Sequence, residues 1–103
     1  MIITSQGASD PLPWPGGYGT LIVAGDFAGN TVTAEGDYGL DAPNQWILQK
    51  DINGNAIEIT ASSAPNFLTS KCNLRLQVAG GSTEDINLKF SVRQLYVHVA
   101  QRY

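Results

Sequence analysis

The chain has 103 residues, a length at which one domain builds one modest core and not two. Only 15% of its residues are charged, against about 25% in typical soluble domains, and the formal net charge is −3. Its six Lys and Arg are scattered, and no apolar run approaches the ~18 residues of a spanning helix, so neither nucleic acid nor a membrane is an expected partner.

The first residues, 1–6, carry neither a basic segment nor a long apolar one, so no secretory signal is expected there and synthesis in a cytoplasm is. A short strand is expected at residues 2–5, followed by the run Asp10-Pro11-Leu12-Pro13-Trp14-Pro15-Gly16-Gly17. Each proline fixes its own φ and pushes its predecessor toward extended backbone, so residues 1–17 read as an extended Pro-rich N-terminal arm. Leu12, Trp14 and Pro15 are its candidate partner-binding residues, an aromatic on a preordered backbone. The alternative is that the arm closes one open end of its own domain.

From residue 18 to 103 the chain reads as a single β domain with a period of two. Leu21, Val23 and Phe27 share one parity, and Val32, Ala34 and Tyr38 alternate with Thr31, Thr33, Glu35 and Asp37. Ile57 and Ile59 flank Glu58; Leu74, Leu76 and Val78 alternate with Asn73, Arg75 and Gln77; Ile86, Leu88, Phe90 and Val92 alternate with Asn87, Lys89, Ser91 and Arg93. One apolar and one polar face is the mark of half-buried antiparallel strands. Short turns are expected at Ala28-Gly29-Asn30, at Asn53-Gly54 and at residues 79–83, the second being the strongest hairpin signal. The resulting fold class is all-β, a small antiparallel sandwich or flattened barrel of about seven or eight strands. Inward parity switches from even to odd between Val92 and Leu95, so residues 86–101 form either one strand with a bulge near Arg93-Gln94 or two strands.

Residues that carry chemistry are few. Cys72 is the one cysteine, which excludes an internal disulfide, and it shares the parity of Leu74 and Leu76, as a core filler would. His98 is the one histidine, and it has no nucleophile or further metal ligand beside it in sequence. Glu35 and Asp37 lie on one strand face about 7 Å apart, a spacing a glycosidase pair tolerates, but like charges on the polar face of a strand read as a solvated face. Asp51-Ile52-Asn53-Gly54-Asn55 echoes the start of a calcium loop, yet Ser62 stands where the bidentate acid belongs. No enzyme, metal or cofactor is therefore expected. A second binding candidate is an outward aromatic patch of Tyr96, His98 and Tyr103 on the last strand.

Several segments together carry a resemblance. Residues 16–27 follow the pattern GGYGxLxVxGxF; a strand pair surrounds Trp46 and Asn53-Gly54; Asn66-Phe67-Leu68-Thr69 precedes Leu74-Arg75-Leu76-Gln77-Val78; and Leu95-Tyr96-Val97-His98-Val99 closes the chain. In this order the chain resembles small bacteriophage head-decoration, or capsid cement, proteins over most of residues 16–101. It departs from their pattern at Thr69-Ser70-Lys71-Cys72, which replaces a Pro-Ala-Gly turn, and in a longer segment at 82–93. The resemblance implies a structural virion protein on the outer capsid surface, binding the major capsid protein as a homo-oligomer, with a trimer favoured. The sparse surface charge suits a protein covered by partners, though an ordinary Ser/Thr/Asn/Gln-rich β surface has the same composition. The competing functions are a carbohydrate- or receptor-binding module of a tail fibre or adhesin, and a minor neck or tail component.

Overall fold

Strict alternation of apolar and polar residues leaves a chain only one economical way to hide its apolar half, which is to lay strands in two sheets with their apolar faces together. The computed structural model describes residues 1–39 and 45–95, and among them there is no helix. The strands are β1 (Ile2–Ile3), β2 (Gly7–Ala8), β3 (Leu12–Trp14), β4 (Gly17–Asp26), β5 (Thr31–Asp37), β6 (Ile47–Leu48), β7 (Glu58–Ile59), β8 (Asn66–Thr69), β9 (Cys72–Ala79) and β10 (Asn87–Gln94). One sheet runs β1-β10-β4-β8. The other is centred on the β9–β5 pair, with β2 and β3 in succession on the free edge of β9 and β6 and β7 on that of β5. Every pairing is antiparallel.

The parities read from the sequence are the ones buried. Leu21, Val23, Leu88 and Phe90 come from the first sheet, Val32, Ala34, Leu74, Leu76 and Val78 from the second, and all join one hydrophobic cluster. Burying each such side chain fully contributes about 1.5–3 kcal/mol, so the cluster is the main source of stability. The chain passes between the sheets at the turn after Phe27. There Asn30 N–H donates to the Phe27 carbonyl at 2.8 Å, and Ala28 and Gly29 take φ of 48° and 78°. The expected turn is present, but it joins two sheets instead of closing a hairpin.

Asn30 is buried and anchors this crossing. Its Nδ2 donates to the carbonyls of Phe27 and Ser82, both at 2.9 Å, while its Oδ1 accepts from Gly81 N–H at 2.9 Å and Gln6 Nε2 at 2.8 Å. A buried amide satisfied on both sides costs little and fixes three segments together. The Asn53-Gly54 hairpin is also as expected. Lys50 bridges Ala56, and Asp51 Oδ1 accepts from the amides of Asn53 and Asn55 at 2.9 and 3.0 Å. This local hydrogen bonding accounts for the Asp-x-Asn-x-Asn spacing without a cation.

The structure departs from the sequence reading at both ends. The described residues already hold ten strands, against the seven or eight expected, because the first seventeen residues are not a free arm. Ile2 and Ile3 pair with Lys89 and Leu88 of β10, Gly7 and Ala8 pair with β9, and Ser9 N–H donates to Leu76 O at 2.8 Å. Residues 12–14 then pair with Leu74, Asn73 and Cys72. Proline makes the backbone extended, as read, but an extended backbone with apolar residues at alternate positions is also an edge strand. At the other end, Val92, Arg93 and Gln94 pair one to one with Leu21, Thr20 and Gly19, so neither the expected bulge nor a hairpin turn falls at Arg93-Gln94. The expectations for residues beyond Leu95 lie outside the described residues.

Two stability measurements check this arrangement. Phe90 is 1% exposed, so Phe90→Ala should lower unfolding free energy by about 3–5 kcal/mol in a denaturant titration. Deleting residues 1–17 should abolish the cooperative thermal transition, whereas a free arm would leave it intact.

Candidate functional site

Alternation places the residues of β3 on two faces. Leu12 and Trp14 turn inward, where Leu12 is half-buried against the core and Trp14 is only 2% exposed. Pro13 and Pro15 turn out to solvent. Pro13 has no amide to give β9, so the ladder runs through Leu12 and Trp14, and the amide positions of 11, 13 and 15 face the open edge. Three prolines there offer no donor to a foreign strand, which protects the edge from further pairing.

The expected solvent-facing tryptophan is therefore corrected: Trp14 packs into its own domain. Its ring meets Phe67 of β8 at 4.8 Å between centroids, tilted by 50°, and its Nε1–H donates to the Thr69 carbonyl at 3.4 Å. Gly19 of β4 lies under the ring so closely that a Cβ there would collide with it. Of the three arm residues proposed for binding, Pro15 is the one that is exposed. Leu12 and Trp14 alternate with prolines as Leu21 and Val23 alternate with Thr20 and Ile22, but a free extended arm would show the same alternation. Tyr96, His98 and Tyr103, the other candidates, lie outside the described residues.

Beside Trp14, at one end of the second sheet, an open groove of about 550 Å³ runs between Pro13 and Pro15 on one side and Asp37, Tyr38 and Gly39 on the other. Cys72, Asn73 and Lys71 line it between them. Its polar groups are largely engaged. The Tyr38 hydroxyl donates to Gln49 Oε1 at 2.9 Å and is also hydrogen-bonded to the Thr69 hydroxyl. Gln49 is buried and its Nε2 donates to the Ile47 carbonyl at 3.0 Å. Gly36 lies beneath it, and a Cβ at that position would come within 2.7 Å of the same Nε2 and displace the amide.

Burial pushes the Cys72 thiol up from its ordinary pKa, the Asp37 charge adds to this, and a hydrogen bond with Tyr38 opposes it. The thiol thus stays protonated at neutral pH and is a weak nucleophile. Among the described residues no three His, Cys, Asp or Glu side chains gather as a metal site would require.

The solvent face of the second sheet holds a feature that sequence reasoning missed. Arg75 Nε of β9 donates to Glu35 Oε1 of β5 at 3.0 Å, and the same guanidinium lies 3.9 Å from the ring centroid of Trp46. Glu35 and Arg75 are direct partners in the β5–β9 register, as Asp37 and Asn73 are one step along. Asp37 Oδ1 accepts from Gly39 N–H at 3.0 Å. The two acids that share a strand face are consequently engaged differently, one with a guanidinium and one with the backbone. Strand parity put Arg75 and Glu35 on one face, but the partner of Trp46 depends on a pairing across three strands that no local pattern encodes.

No protein-family model, curated protein or solved structure matches this chain.

The protonated thiol has a consequence for stability. The native state holds the Cys72 proton to higher pH than the unfolded chain does, so stability falls once pH rises above about 8.5, where the unfolded thiol ionises. The readout is the difference between wild type and Cys72→Ala. That difference should shrink as pH rises from 7 toward 10, and a constant difference would contradict the assignment.

Proposed function

We propose that this chain is a non-enzymatic structural protein of a bacteriophage virion. In this reading it binds the outer surface of the assembled capsid and clamps neighbouring subunits of the major capsid protein, acting as a homo-oligomer, most simply a trimer. The ordered likeness of residues 16–101 to head-decoration proteins supports it, as does a surface with few charges.

The observation that carries most weight is the outward face of the first sheet. Tyr18, Ile22 and Ala24 share the outward face of β4, with Thr20 between the first two, and are only half-buried, and Leu68 of β8, opposite Tyr18, is 67% exposed. Ile2, also 67% exposed, lies on the same face, separated from Ala24 by Lys89 of β10. An apolar strip on an otherwise polar β surface is suited to being covered by protein. Spread over a symmetric oligomer, several such weak contacts act together, with avidity gains of order 10²–10⁴ and no tight single site.

Quantitative mass spectrometry of purified particles tests this. The polypeptide should be present in hundreds of copies, in simple ratio to the major shell protein. A handful of copies per particle would place it in the neck or tail, and its absence would remove it from the virion.

A further inference from the structure

The opposite sheet offers a different kind of surface. We infer that its solvent face is a binding site for a neutral glycan, with Trp46 as the stacking platform and Glu35, Arg75, Asp37 and Asn73 as the hydrogen-bonding groups around it. The inference stands apart from shell attachment, which uses the first sheet.

Three observations carry it. First, the indole is held before any ligand arrives. The Arg75 guanidinium occupies one side of the ring at 3.9 Å and is itself tied to Glu35 at 3.0 Å, while Trp46 stays half-buried, so part of the ring remains open to solvent. An aromatic fixed in this way loses little further freedom on binding. Its electron-rich face attracts the polarised C–H groups that line one side of a pyranose ring.

Second, the groups beside it suit hydroxyls. The strand pairing that sets Glu35 opposite Arg75 also sets Asp37 opposite Asn73, and these four project from the face away from buried Ala34, Leu74 and Leu76. Carboxylates accept, the guanidinium donates and the amide does both, so the set can engage the donor-and-acceptor hydroxyls of a sugar. Asp37 and Asn73 also line the 550 Å³ groove, whose far wall is Pro13 and Pro15. The Asp37–Asn73 pair therefore stands both next to the Glu35–Arg75 pair on the sheet face and at the groove.

Third, the charge balance selects among ligands. Glu35 and Asp37 are balanced by Arg75, already paired with Glu35, and by Lys71 in the groove, so a sulfated, sialylated or phosphorylated ligand meets no net attraction. Of the ligand chemistries an aromatic and polar face can recognise, the uncharged hydroxyl-rich one fits.

The test uses the full chain and an array of neutral oligosaccharides built from glucose, galactose, mannose and N-acetylglucosamine, followed by fluorescence titration of the retained ones. At least one should bind saturably, with an affinity little changed between 50 and 500 mM salt. Trp46→Ala, with its thermal transition retained, should weaken that binding at least about tenfold, as loss of a stacking anchor does. Should Trp46→Ala fail to fold, Glu35→Gln releases the guanidinium that holds the indole and should weaken binding severalfold. Leu68→Ala on the other sheet should leave it unchanged. Retention of no neutral glycan, an affinity indifferent to both substitutions, or salt-sensitive binding of anionic glycans alone would each overturn the assignment.

Discussion

One side chain ties this domain together. Trp14 is anchored at the edge of the second sheet, yet its ring reaches across to the first: to Phe67 and the Thr69 carbonyl on β8, and to the bare backbone of Gly19 on β4. It crosses the sandwich as a bolt. A tryptophan brings the largest apolar surface of any residue and one polar atom that needs a partner. Both demands are met here, since the indole N–H reaches a carbonyl and the ring lies in the common cluster with Leu21 and Phe90. The first seventeen residues are consequently part of the fold, laid along β10 and β9 and held by Trp14 at their end.

The same constraint explains the open edge beyond β3. A segment that must deliver Trp14 inward has to be extended, and prolines at alternate positions make it so while leaving the edge without donors. The first sheet's apolar strip and the second sheet's Trp46–Arg75–Glu35 cluster then fall on opposite sides of the molecule. A domain attached through the first would present the second outward. That division makes the proposed shell attachment and the inferred glycan site compatible, and each rests on its own residues.

The body of the fold was legible because its strands are long enough to state their parity. β4, β5, β9 and β10 each bury the residues that alternation selects, and Asn53-Gly54 closes the hairpin its chemistry demands. What was not legible has two physical causes. At the N-terminus proline has two meanings, an unpaired extended arm or a guarded edge strand, and only the burial of Trp14 separates them. At the candidate site the partners are far apart in sequence. Trp46, Arg75 and Glu35 meet only after β5 pairs with β6 on one side and β9 on the other, and composition carries no trace of that.

Native-state hydrogen exchange tests the central claim, that the N-terminal segment is bolted into the core, most directly. The amides of Ser9, Leu12 and Trp14 should exchange with the same free energy of opening as those of β9, because they are released only when Trp14 leaves the core and the sheets part. Exchange of these three at nearly unprotected rates, while β9 and β10 stay protected, would contradict the account and return residues 1–17 to the status of an arm.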